Sequence, residues 1–341
     1  MMKPLEHEKR TWGWVVGLAA LLLAVFVASF GFGRYGVAPG QVVRILLSRV
    51  FPIAPDWTPQ METAVLNIRL PRILLACLVG CSLASAGASY QGVFQNPMAA
   101  PDILGASSGA AFGAALAILM GFGSRGIMAC AFVMGLATVL LVYLIGQRAP
   151  GRRAIGMVLA GIMIGSLFSA GTSFVKLVAD PSNQLPAITY WLMGSLSGTT
   201  MRDVWFAVLP MAAGLVPLFL LRWRINLLTL GDDEARSMGV NVRLLRFAVV
   251  VCSTLVTAAS VAVSGMIGWV GLVIPHLGRM MVGSDYRRLM PASMLLGASF
   301  LLLVDDVSRN LLATEIPIGI LTAFIGAPFF LYFILRKEDV Q

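Results

Sequence analysis

Arg69 and Arg72 stand three residues apart in the run Ile68-Arg69-Leu70-Pro71-Arg72. On a helix that spacing turns both guanidinium groups one way, where they can receive carboxylates or phosphates. Pro71 suits the opening turn of a helix, where a missing N–H costs no bond. Arg309 follows Asp305 by four residues, so the two can pair on one helix face. A second polar set is Leu230-Gly231-Asp232-Asp233-Glu234-Ala235-Arg236-Ser237-Met238-Gly239-Val240. Asp232 is placed to cap a short helix whose acidic first turn suits the positive end of its dipole, and Gly239 to close it in a left-handed conformation. A third set is Gln95-Asn96-Pro97-Met98 and Ile274-Pro275-His276, where proline interrupts the helical ladder. Irregular backbone at membrane depth persists only inside protein or along a cavity, so both point to a pathway.

Other chemistries lack their residues. A phosphate-binding Walker loop needs Lys followed by Ser or Thr, and none of the four lysines (Lys3, Lys9, Lys176, Lys337) is so followed. Two histidines, His7 and His276, are too few for a metal cage or a Ser/His site, and His276 reads as a packing residue rather than a proton carrier. Cys77, Cys81, Cys130 and Cys252 lie in apolar stretches and read as packing residues, with no metal ligation. No catalytic residue is assigned. Mid-span carboxylates, which an ion-coupled secondary transporter would need, are almost absent.

The elements that must position these residues are membrane spans. The 341 residues are 58% apolar and 12% charged, with a mean hydropathy of +0.85. A soluble domain is about a quarter charged, so a soluble enzyme, a disordered chain and a disulfide scaffold are excluded. Ten apolar segments are long enough to count as spans: Trp12–Phe32, Ile73–Tyr90, Ile103–Met120, Ile127–Ile145, Ala154–Val178, Val204–Leu221, Leu244–Val263, Met266–Val282, Leu289–Val304 and Ile316–Leu335. Leu185–Met201, interrupted by Pro186, Gly194 and Gly198, reads as a short helix at the interface. The organisation is one domain, residues 12–335, with tails at 1–11 and 336–341 and a polar loop at about 222–243. The first span reads as an uncleaved anchor, its apolar run being too long for a signal peptide.

Charge orients the chain. Ten crossings put both termini on one side, and placing that side in the cytoplasm leaves 16 of the 25 basic residues inside. The net charge of +9 is thereby a loop surplus, and no basic–aromatic stripe calls for nucleic acid. Small residues recur every four positions, as in Gly80, Ala84, Ala88 and Gly92, in Gly105, Gly109, Gly113, Ala117 and Gly121, and in Gly161, Gly165, Ser169 and Ser173. Such stripes let helix backbones approach closely in lipid.

The arginine run, Gln95 to Pro101, Leu104 to Ala110, Gly231 to Gly239, Gly271 to His276, and Glu315 to Gly319 followed by Gly326-Ala327-Pro328 together resemble the FecCD-type permeases. These are membrane subunits of ABC importers for cobalamin, haem and ferric siderophores. The resemblance implies an all-α fold of ten spans, bacterial or archaeal cytoplasmic-membrane localisation and a second permease subunit, identical or closely related. It also implies two ATP-binding subunits that carry ATP and magnesium, and a periplasmic or surface-tethered binding protein. This chain would hold no cofactor of its own. By the same resemblance Arg69, Arg72 and Arg309 receive acidic residues of the binding protein. Gly231, Asp232, Glu234, Ala235, Arg236 and Gly239 belong to the element that seats on the ATPase, and Asn96 and Met98 to a cytoplasmic gate. The family's second gate has small hydroxyl residues where Ala154 and Ile155 align here, and no role is carried to them. Ferric siderophore is the first expected substrate, then haem or cobalamin, with an oxyanion such as molybdate behind them.

Overall fold

Proline and glycine punctuate the helices, and small residues decide how closely they pack. The computed structural model describes residues 4–33, 35–148 and 153–335. The expected tail residues 1–3 and 336–341 lie outside the described residues, as do Arg34 and Arg152 of the charge count. Among the described residues the secondary structure is helical, with no strand.

The helices are α1 (Pro4–Ser29), α2 (Pro39–Leu47), α3 (Pro59–Thr63), α4 (Leu70–Val93), α5 (Ala106–Leu119), α6 (Ser124–Arg148), α7 (Arg153–Val178), α8 (Gln184–Leu192), α9 (Met201–Leu230), α10 (Asp232–Ser237), α11 (Val242–Ser264), α12 (Val270–Val282), α13 (Tyr286–Asn310) and α14 (Ile318–Leu335). Seven are long and apolar enough to cross a membrane (α1, α4 with its preceding turns, α6, α7, α9, α11 and α13). The expected third, eighth and tenth spans fall on α5, α12 and α14, whose apolar helices are shorter.

Helix α4 is the axis. It is buried on nearly every side and packs on α13, α11, α9 and α12. Its small residues make this possible. A Cβ on Gly80 would collide with the Gly297 carbonyl of α13, and one on Gly87 with the Gly271 backbone of α12. Gly109 and Gly113 meet α6 in the same way, through Thr138, Met134 and Cys130. Gly105 and Gly121 leave the expected stripe. Both have positive φ (75° and 74°) and lie just outside the two ends of α5, which runs only from Ala106 to Leu119.

Before α4 the chain runs without a break through α3 and a π-helical turn, Ala64–Arg69. In a regular α-helix the Pro71 ring would press on the carbonyl four residues back, and the wider turn makes room for it.

Several boundaries differ from expectation. Helix α1 begins at Pro4, so residues 4–11 of the expected tail are helical. Helix α9 continues through Pro210 and Pro217 to Leu230, so the first nine residues of the expected polar loop belong to it. Prolines are tolerated there because neighbouring helices can satisfy the freed carbonyls. Helix α12 starts at Val270 rather than Met266, after Trp269 takes a positive φ of 69°, and it runs through Pro275 to Val282.

Candidate functional site

The functional candidates gather at the two ends of α4. At its first end, Arg72 reaches across to α13. Its Nε donates to Asp305 at 2.9 and 3.1 Å, and Nη1 donates to both oxygens of Glu315 at 3.0 and 2.9 Å. Arg309 pairs with Asp305 at 3.2 Å, as its four-residue spacing foretold, and also with Asp306. Ser29 of α1 donates to Asp306 at 2.6 Å, and Arg309 donates to the Phe32 carbonyl at 3.4 Å. Arg69 takes no carboxylate and donates instead to the carbonyls of Phe30 and Tyr35, beyond α1.

Arginines free to receive a partner's acidic residues would face water, and these do not. Arg69, Arg72 and Arg309 are 4%, 5% and 7% exposed. Nor do Arg69 and Arg72 share partners, since the π-helical turn ends between them. Arg72 and Arg309 meet three carboxylates, and Arg69 brings a third positive charge beside them, so the group as a whole is formally neutral. Charges so buried need a counter-charge or hydrogen-bond acceptors, because each alone would lose several kcal/mol of hydration. Nothing in the sequence signalled that Asp306, Glu315 and Ser29 would join the arginines here. Glu315, with a side chain 29% exposed, is the member in contact with water.

At the other end, α4 stops at Val93 and the chain turns through residues 94–100. Asn96 accepts the Met98 N–H on its side-chain oxygen at 2.9 Å, a local bond that fits the Asn-Pro pair to a tight turn. Its own N–H donates to Gln91 at 3.2 Å, and Met98 is exposed. Gln95, just before it, has a φ of 49° and donates from Nε2 to the Leu228 carbonyl of α9 at 2.6 Å. The sequence placed Gln95 in the interrupted run but assigned it no partner.

Three residues beyond Leu228, Gly231 breaks α9 with a φ of 123° and α10 begins. Here Asp232 is corrected from cap to first helical residue. Gly231 occupies the cap position, and the Asp232 carboxylate receives Arg246 of α11 at 2.7 Å. Gly239 closes the helix as expected, with a φ of 78°, its N–H on the Arg236 carbonyl at 2.9 Å and the Val240 N–H on Ala235 at 3.1 Å. Ala235 is fully buried in a cluster with Ile225, Leu228, Val242 and Leu245. Asp233, Glu234 and Arg236 point to water, with Arg236 and Asp233 paired at 3.2 Å. Beside α10 lies a cavity of about 700 Å³ whose lining includes Gln95, Gln147, Asp232, Arg236, Arg243 and Arg246.

The short helix α10 thus lies beside the turn at the end of the central helix. The profile described as the FecCD transport family matches residues 21–336. This chain belongs to that family. It is similar to the molybdate import system permease of Haemophilus influenzae, 42% identical over 92% of this chain and 93% of that one. It is also similar to the hemin transport system permease of Yersinia pestis, 42% identical over 80% of this chain and 84% of that one. A solved structure described as an inward-facing metal-chelate type ABC transporter is 39% identical, with a TM-score of 0.85 over 94% of this chain and 98% of that one. The FecCD-family chain is thus a multi-pass membrane protein of the ABC-importer permease type.

Proposed function

We propose that this chain is one half of the gated path of a binding-protein-dependent importer, driven by ATP hydrolysis in partner subunits. The observation that carries the reading is α10. It is anchored inward by Ala235 and by Asp232 on Arg246, and it offers an exposed charged face of Asp233, Glu234 and Arg236 outside the spans. A bundle with no fuel-binding residues needs a motor, and such a helix is a handle for one. Two ATP-binding subunits with ATP and magnesium take this role, on the cytoplasmic side, where both termini lie by the positive-inside count.

A second permease subunit completes the path. Helix α7 leaves Met163, Leu167, Phe174 and Leu177 exposed, with the hydroxyls of Ser166 and Ser173 on its exposed surface. Small hydroxyl residues on a span suit a protein or water-lined neighbour better than lipid. At the far end, a periplasmic or surface-tethered binding protein docks through acidic side chains. Because Arg69, Arg72 and Arg309 are already engaged, the incoming carboxylates exchange with internal partners, beginning at Glu315 on the rim. At the near end, Asn96 and Met98 form the cytoplasmic gate, and ATP-driven closure of the motor moves α10 and opens it.

The first substrate class is a ferric siderophore, with haem and cobalamin as neighbouring metal chelates. A second reading, an oxyanion such as molybdate, is favoured by the resemblance to the Haemophilus permease. The test is uptake into proteoliposomes loaded with ATP. Transport should require both the ATPase and the binding protein, and the ligand that co-purifies with the binding protein identifies the substrate. Concentrative uptake by this chain alone would overturn the proposal in favour of an ion-coupled secondary transporter.

A further inference from the structure

The Asn96–Met98 turn and α10 are separate in the sequence, and one side chain joins them. Gln95 is one of two non-glycine residues with positive φ among the described residues. L-residues with a long side chain rarely hold that conformation, so something must compensate for it. The compensation is the bond from Nε2 to the Leu228 carbonyl at 2.6 Å. Leu228 lies in the last turn of α9, where a carbonyl has no partner within its own helix. Gln95 supplies the missing donor, and Leu228 is fully buried, so water does not compete well for it.

Both ends of this link are held firmly. Leu228 and Ala235 share one buried cluster across the Gly231 break, so α10 and the last turn of α9 pack as a unit. On the other side, Gln95 adjoins Asn96, whose N–H and side chain hold the turn. Gln95 also lines the cavity beside α10, which leaves room for this corner to move.

We propose that Gln95 is a positioning residue that transmits displacement of α10 to the Asn96–Met98 turn. The inference rests on the gate and motor-handle reading above. A pull on α10 carries the last turn of α9 with it. The amide bond then drags Gln95, and the turn that begins there follows.

The test uses the assembled transporter with its ATPase and binding protein, spin-labelled in pairs. M98C with L303C reports the turn against the far half of α13, and D233C with L303C reports α10. With Gln95 present, adding ATP should shift both distances. Gln95→Gly keeps the positive φ but deletes the amide, and Gln95→Glu sets a carboxylate against the carbonyl. In both variants the shift at position 98 should be lost while that at position 233 remains. A shift at 98 that persists in either variant overturns the proposal; loss in Gln95→Glu alone would report only the introduced charge. If position 233 moves but position 98 never does, even with Gln95, the gate reading falls and this inference with it. If position 233 does not move, the motor-handle reading falls, and this inference again with it.

Discussion

The guanidinium of Arg72 and the carboxylate of Asp305 lie 2.9 Å apart although 233 residues separate them in the chain. The Asp305 side chain is wholly buried, and that of Arg72 is 6% exposed. This pair ties the start of α4 to the end of α13, and Glu315 adds the segment that leads into α14. Removing Asp305 leaves Arg72 with Glu315 and Arg309 with Asp306, and the buried group then carries one uncompensated positive charge. Asp305→Ala should therefore cost about 3–5 kcal/mol, whereas replacing both residues with apolar ones of similar volume should recover most of that. Thermal unfolding in nanodiscs measures both. A single variant as stable as the parent would show that the pair carries no weight.

Glu315 occupies Arg72 from the watery rim, so it competes with any acidic partner from outside. Glu315→Gln should strengthen docking of the loaded binding protein by roughly tenfold, and a double reversal, Arg69→Glu with Arg309→Glu, should abolish docking and uptake. Titration of the binding protein onto nanodisc-held transporter reads the first effect. Unchanged affinity in Glu315→Gln would mean that the partner does not use this cluster.

Helix α10 offers two different kinds of position. Arg236 is exposed, and Arg236→Glu should weaken ATPase engagement and uptake while leaving the bundle folded. Ala235 is buried against α9 and α11, so Ala235→Glu would have to place a carboxylate among Ile225, Leu228 and Leu245. That substitution should release α10 from the bundle, seen as new protease cleavage near residues 231–240, because a buried unpaired charge is not tolerated. Absence of cleavage in Ala235→Glu, with wild-type uptake, would contradict this packing.

The crossing of α4 and α12 depends on the absence of a side chain at Gly87. Gly87→Ala drives a methyl into the Gly271 backbone, which cannot rotate away as a flexible side chain could. We expect a loss of about 1–3 kcal/mol or failure to assemble, against a much smaller effect of Gly13→Ala, where a Cβ meets nothing. Parallel measurements of melting temperature and membrane yield for the two variants decide the matter.

Much of this architecture was legible in the residues. Apolar length announced α1, α4, α6, α7, α9, α11 and α13, and the four-residue stripe of α4 announced close packing. Gly239 announced the end of α10 because a left-handed closing residue is a local requirement. The misreadings were also local in origin. Asp232 looked like a cap because its type suits one, but Arg246, fourteen residues away, claims its carboxylate. The polar run after Leu221 looked like a loop because charge suggests water, yet α9 continues outward as a helix to Leu230.

Composition, periodicity and the punctuation by proline and glycine act over a few residues, and they sufficed to set the helices, the membrane setting and the family resemblance. Which groups meet across the bundle is settled by helix packing. Arg69 could not be told from Arg72 by spacing, yet one reaches backbone carbonyls and the other two carboxylates. Gln95 and Leu228, 133 residues apart, become partners because α4 and α9 end side by side. Such pairings arise from burial, where an unsatisfied donor or charge is costly, and no short-range pattern in the chain encodes them.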